Sequence, residues 1–286
     1  MASVNVNGYS PITIYTNGSG FASWFENAVN INLNEYPGIY STTNNSYSNL
    51  FMYSVNLVSV SNLNKYTESI TNTFKHCTNL IQAPIIPDSV TNMGYTFYDC
   101  TNLTTVPTLP NSLVQMPYCF YYCKNLTYVP TIPNSVTSLR FTFRGCISLK
   151  DAPNIENTNI TDMAGAFWDC TNLVNVSNLP NSVINAQATF YGCSNLVTAP
   201  VIHSSVKTAV RIFEDCTKLT GNITIYSENI TNADNAFRGT SLQKNVYIPF
   251  TYDNGVNTKT YNAFTSAGYT TTGTVNGVYL KDIRGN

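Results

Sequence analysis

Two histidines, eight cysteines and a set of spaced aspartates are the residues of this chain that could do chemistry. His76 and His203 could ligate a metal or serve as a general base. Cys119 and Cys123, with three residues between them, resemble half of a zinc site. Asp99, Asp169 and Asp215 each follow a phenylalanine by two residues. Paired carboxylates at the right separation hydrolyse glycosides. Whether any of these groups meet depends on the elements that carry them.

Those elements repeat. The stretch FYDCTNLTTVPTLPNS from Phe97 to Ser112 returns as FYYCKNLTYVPTIPNS from Phe120 to Ser135. The leading phenylalanines are Phe51, Phe74, Phe97, Phe120, Phe143, Phe167, Phe190, Phe213 and Phe237. Their steps are 23 or 24 residues, and an earlier unit fits at Phe25 with a step of 26. A period of this length means stacked units, each too small to bury its own apolar side.

Stacking sets the distances. Neighbouring units lie roughly 5 Å apart, so the two histidines, about five units apart, are separated by about 25 Å. They share neither a metal nor a nucleophile. The three aspartates stand three and two units apart, about 15 and 10 Å. The larger gap exceeds the carboxylate separations of glycoside hydrolysis, and the smaller lies just beyond them. Cys77, Cys100, Cys123, Cys146, Cys170, Cys193 and Cys216 occupy one register, where Ala28 and Ser54 stand in the first units. That pattern predicts a row of small buried side chains, with the thiols free. Cys119 sits one place before its Phe, where Thr73, Thr96, Thr142, Ala166, Thr189 and Ala236 stand elsewhere, again a small-residue row. No phosphate loop and no GxSxG motif occurs. The sequence therefore predicts no catalytic residue, no metal and no cofactor, and a protein that is not an enzyme.

The consensus is M-x-x-T-F-x-x-C-x-N-L-x-x-V-P-x-x-P-x-S-V-T-x. It resembles the BspA-type (Treponema-type) leucine-rich repeat, whose 23-residue unit is built on AFxxCxxLxxI. Its MxxTF portion also resembles the 25-residue surface-protein repeats of mollicutes. The resemblance covers Phe25 to Tyr247. It implies a right-handed, β-rich solenoid of about ten units with short parallel strands, and it implies adhesion and surface display.

Within the frame, the Phe row, the Leu row from Leu57 to Leu219 and the row Ile70, Met93, Met116, Leu139, Met163, Ala186, Ala209 and Ala233 point inward. Segments such as LTTV alternate and predict short strands on the concave side. Pro84, Pro107, Pro130, Pro153 and Pro200 end those strands after about four residues, because proline cannot donate to a ladder. Asn79, Asn102, Asn125, Asn172 and Asn195, just before the Leu, are expected to be buried and bonded to neighbouring turns. One domain is expected: residues 1–24 as a β-rich N-terminal cap, 25–247 as repeats and 248–286 as a C-terminal cap. The first cap carries alternating Val4 to Val6 and Ile12 to Tyr15. In the second, NTKTYNAFTSAG reads as a helix capped by Asn257 or Thr258 and stopped by Gly268, and TTGTVNGVYLKDI as a closing hairpin.

What remains for function is the variable, outward positions. Net charge is −1 and charged residues make up 10%, so no footprint for nucleic acid is present. No apolar run is long enough to insert in a membrane, and no secretory leader is read in MASVNVNGYS. One outward row lies on the strands and includes Tyr128 and Asp151. The other follows each Phe: Lys75, Tyr98, Tyr121, Arg144, Trp168, Tyr191, Glu214 and Arg238. Aromatic faces stack on sugars, and Tyr, Trp and Arg dominate interface hot spots. Two readings of this row stay open, a cover over the Phe stack and a contact row. The candidate ligand-binding residues are Tyr98, Tyr121, Arg144, Trp168 and Tyr191, with Tyr128 and Asp151 on the strand row. The expected partner is a cell-surface glycan or protein, with other virion proteins as further partners if the chain is a phage tail or receptor-binding component. The competing settings are a bacterial surface adhesin and a rigid scaffold inside a cell or virion.

Overall fold

A computed structural model describes residues 2–4, 12–14, 29–33, 46–155, 159–240, 244–251, 255–273 and 277–284. The Phe25 unit and its Ala28 lie outside the described residues, as does most of the N-terminal cap. Of that cap, β1 (Ala2–Val4) pairs antiparallel with β2 (Ile12–Ile14).

From Phe51 to Phe237 the rings form one internal column. Successive centroids are 5.4–6.1 Å apart and the planes lie within 1–18° of parallel. Every ring in it is fully buried, as are the Leu row and the row that runs from Ile70 to Ala233. Removing each ring from water contributes on the order of 2 kcal/mol. All eight cysteines are buried free thiols. Each thiol of the main row donates to the Phe carbonyl of the preceding unit, as Cys77 does to Phe51 at 3.0 Å and Cys100 to Phe74 at 3.0 Å. The Thr row works alike, with Thr96 donating to Ile70 O at 2.9 Å and Thr142 to Met116 O at 3.0 Å.

The backbone around each Phe alternates. The N–H groups of Ile70, Asn72, Phe74 and His76 donate upward to the carbonyls of Asn92, Gly94, Thr96 and Tyr98 in the next unit. Those between them, Thr73, Lys75 and Cys77, close local turns three residues back. The alternation needs left-handed backbone two residues before and two after the Phe. Asn72 (φ 55°) and His76 (φ 62°) adopt it, as do Tyr95 and Asp99, and Tyr118 and Tyr122.

The strands differ from expectation. The anticipated row reduces to single-residue parallel bridges, Gln82 to Thr105 to Tyr128 and Asp151 to Asn175. Proline two places beyond Gln82, Thr105, Tyr128 and Asp151 removes the next donor. The longer ladder lies elsewhere, just before the Met row. It runs without a break through Ser46, Ser69, Asn92, Gln115, Ser138, Asp162, Asn185, Thr208 and Asn232. Short polar side chains suit it because they bond the backbone two residues on, as Asn92 Oδ1 does to Gly94 N at 2.9 Å and Asp162 Oδ1 to Ala164 N at 3.0 Å. Among the described residues, strands of two or more residues pair only near the ends of the stack: β3 (Asn30–Ile31) with β4 (Ser59–Val60), and β5 (Ile223–Thr224) with the five-residue β6 (Lys244–Ile248).

The asparagine row is also corrected. Asn79, Asn102, Asn125 and Asn172 are exposed, and the amides bond each other: Asn102 Nδ2 to Asn79 Oδ1 and Asn125 Nδ2 to Asn102 Oδ1, both 3.3 Å. The turn bonds expected of a buried Asn come instead from backbone, Thr and thiol donors.

At the C-terminal end, α1 (Lys259–Ser266) is capped by the Thr258 hydroxyl, which accepts from Tyr261 N at 3.0 Å. The chain then returns as β7 (Val278–Asp282), parallel to β6. β7, the second half of the expected hairpin, pairs with β6 instead, and Thr270 meets Tyr279 in a parallel bridge; strands joined through a crossover helix run parallel. Residues 274–276 of the expected hairpin lie outside the described residues. Phe264 of α1 adds a last ring to the column, 5.7 Å from Phe237.

Candidate functional site

The left-handed residues turn three registers to one outward face. These are the positions two before, one after and two after each Phe. In the central units most of them are rings, which lie half-buried.

The row after the Phe brings five predicted residues together. Tyr98 and Tyr121 stack at 4.5 Å with planes 5° apart. The Arg144 guanidinium lies 5.4 Å from the Tyr121 centroid and 3.9 Å from that of Trp168. Trp168 tilts against Tyr191 at 4.8 Å. Glu214 follows, buried between two exposed arginines, with Arg211 Nε and Arg238 Nε each 3.4 Å from a carboxylate oxygen.

A second row, two places before the Phe, was missed by sequence reasoning. Tyr95 and Tyr118 stack at 4.6 Å, and Tyr118 and Phe141 at 5.1 Å. Tyr95 leans on Tyr98 at 6.0 Å and Tyr118 on Tyr121 at 5.9 Å, which joins the two rows. The third register adds Tyr53, stacked on His76 at 4.7 Å, and Tyr122, edge-on to Tyr121 at 4.6 Å. The signal for both was the same 23-residue spacing, since Tyr95, Tyr118 and Phe141 recur at it. Glycine completes the pattern. A Cβ on Gly165 would meet the Phe141 ring at 2.4 Å, and one on Gly145 the Tyr122 ring at 2.1 Å. Each ring lies over a neighbour that has no side chain.

Lys75 sits over Tyr95 at 5.3 Å and Tyr98 at 4.8 Å, and Arg140 over Phe141 at 5.2 Å. Burial raises the phenols of Tyr95, Tyr98 and Tyr121 above the ordinary range, so they remain hydroxyl donors. Burial also raises the Asp169 carboxyl, against the lowering effect of Arg144. His76 Nδ1 lies 3.1 Å from Asp99 Oδ2.

Tyr128 and Asp151 belong to a different surface, the bridged strand row. Tyr128 is 60% exposed. It lines a surface cavity of about 670 Å³ with Thr108, Leu109, Pro130 and Ile132. Asp151 accepts from Asn175 Nδ2 at 2.7 Å. The bridges that continue this row stop between Tyr128 and Asp151 among the described residues. Among the described residues, no three His, Cys, Asp or Glu side chains are grouped to hold a metal, and no helix is long and apolar enough to cross a membrane.

The family model described as a BspA type leucine rich repeat region matches residues 44–173 and 140–268, in six copies. The chain is similar to a leucine-rich repeat protein from Bacteroides ovatus ATCC 8483, with 21% identity over 77% of this chain and a TM-score of 0.47. It spans 59% of the length of that Bacteroides chain. It is also similar to the leucine rich repeat protein of T. pallidum, with 23% identity, 68% of this chain and 72% of that chain covered, and a TM-score of 0.39. No curated protein matches.

Proposed function

The chain belongs to the BspA-type leucine-rich repeat family, and on that premise we propose that it is a non-enzymatic binding protein whose contact surface is the aromatic and cationic strip. Leucine-rich repeat proteins generally mediate binding or adhesion. The partner is a glycan or protein of a cell surface, met from a cell surface or a virion. The observation that carries the reading is the continuity of the strip. Rings and guanidinium succeed one another from Tyr98 through Tyr121, Arg144 and Trp168 to Tyr191. A cover for the Phe column needs no cation at its centre, whereas Tyr, Trp and Arg together are the residues that anchor interfaces.

The test is a variant with Tyr98, Tyr121, Trp168 and Tyr191 all changed to Ala, checked for the parent's circular dichroism and then assayed for binding to whole cells. Loss of binding with an intact fold is the expected result. Undiminished binding would reject the strip and turn attention to Tyr128 and Asp151. A parent chain that binds no cell or purified surface component would support a scaffold instead.

A further inference from the structure

We infer that Arg144 is an anion subsite and that the strip takes a linear polysaccharide bearing carboxylates. The inference rests on the reading of the strip as a contact surface. Of the chain's five arginines, Arg140, Arg211, Arg238 and Arg284 each pair with a carboxylate. Arg144 forms no ion pair among the described residues, and its Nε, shielded from solvent, has no hydrogen-bond partner. Its planar cation is held in place from two sides, 3.9 Å from the Trp168 centroid and 5.4 Å from that of Tyr121. A guanidinium fixed by ring faces keeps its in-plane donors for a carboxylate. The neighbouring acid, Asp169, is near enough for Arg144 to act on its carboxyl, but the two form no ion pair, and Asp169 Oδ1 occupies the space beside Gly192 of the next unit. Three units back, Lys75 lies over Tyr98 and likewise forms no ion pair among the described residues.

The form of the ligand follows from the rings. Tyr98 and Tyr121 face each other at 4.5 Å and 5°, as Tyr95 and Tyr118 do at 4.6 Å and 5°. One face of each ring is taken by its stacking partner, and Lys75, Arg144 or Phe141 lies over each ring as well, so sugars cannot stack on them one per ring. What the strip shows outward is ring edges and phenolic hydroxyls, repeated once per unit and interrupted by a cation. A repeating polymer of hydroxyl groups with carboxylates at intervals complements that surface, with hydroxyl-to-hydroxyl bonds along the chain and a carboxylate at Arg144. The pitch of one unit is close to the length of one sugar in a linear chain, whereas the side chains on one face of an extended peptide repeat about every 7 Å.

The full chain is titrated by calorimetry with oligomers of polygalacturonate, alginate and hyaluronate, with dextran of equal length as the neutral control and polyglutamate as the acidic peptide. Expected is binding to at least one carboxylated polysaccharide, weakening with salt, and none to dextran. Arg144→Gln, with its fold verified by thermal melting, should weaken that binding at least tenfold, and Arg144→Lys less. Three results would overturn the inference: equal binding by Arg144→Gln, tighter binding of polyglutamate, or no binding to any of the three polysaccharides. If the last occurs while the four-alanine variant still loses cell binding, the strip stands as a contact surface and only its acidic-glycan ligand is rejected.

Discussion

The hydroxyl of Tyr269 accepts the backbone N–H of Phe237 at 3.0 Å. In the units before it, a Phe N–H donates to a carbonyl of the next unit, as Phe213 does to Ala236. Tyr269 supplies by side chain what a further unit would supply by backbone, while Phe264 supplies the missing ring. Tyr269→Phe keeps the edge-on ring contact with Phe237 at 5.4 Å and leaves a buried N–H without a partner. The expected loss is about 1–3 kcal/mol, read by urea unfolding. An unchanged midpoint would mean that this end of the stack is held by other bonds.

Phe143 lies at the middle of the column, between Phe120 at 5.7 Å and Phe167 at 5.4 Å. Phe143→Ala should destabilise by about 3–5 kcal/mol. Arg144→Ala, one residue away but outward, loses cation–ring contacts and should cost about 0.5–1 kcal/mol. Chemical unfolding of the two variants side by side gives the comparison, and equal losses would contradict the inward and outward assignment.

Burial pushes the Cys77 thiol up to about 12, and the thiols of Cys100, Cys123, Cys146, Cys170 and Cys193 are raised by the same cause. A thiol in that state is not a nucleophile at neutral pH. Ellman's reagent should find almost no reactive thiol in the native chain and close to eight in guanidinium. Disulfides seen by mass spectrometry without reductant would oppose this.

Burial raises the Glu214 carboxyl, more than Arg211 and Arg238 lower it. A carboxyl raised in the folded state binds its proton more tightly there than in the unfolded chain. Its stabilising contribution is fully present below the ordinary Glu value of about 4.3, and is lost as pH rises through the folded value. Glu214→Gln removes that dependence. Thermal midpoints across the acid range should show the parent falling relative to the variant as pH rises from about 4. Parallel profiles would show that Glu214 titrates normally.

The period made the interior legible. Registers of Phe, Leu, Met and Cys could be assigned as buried because a stacked unit has one inward side, and α1 could be placed from its Thr258 cap and the Gly268 stop. The outer face was legible in part. Tyr98, Tyr121, Arg144, Trp168 and Tyr191 follow the Phe directly and were found. Tyr95, Tyr118 and Phe141 were not, because a left-handed backbone two residues before the Phe turns that register outward, and no residue type there announces it. Gly145, Gly192 and Gly239 share the left-handed register two places after the Phe and carried the hint. Tyr122, Asp169 and His76 in the same register disguised it. The parallel return of β7 was hidden for another reason. Strand direction depends on what the intervening helix spans, which no local pattern encodes.

The unit-to-unit hydrogen bonds also set how the molecule answers a pull. They run along the stack, from Phe74 N to Thr96 O and from Phe97 N to Cys119 O, so a force between its two ends meets them in series. Every interface then carries the same force and the weakest parts first, and a parted unit frees one 23-residue period, roughly 75–85 Å of extended chain. Stretched in an optical trap, the molecule should lengthen in steps of that size at similar forces, where a single abrupt rupture would show the stack failing as a block. A tether of this kind dissipates a tug one unit at a time and keeps its remaining units folded.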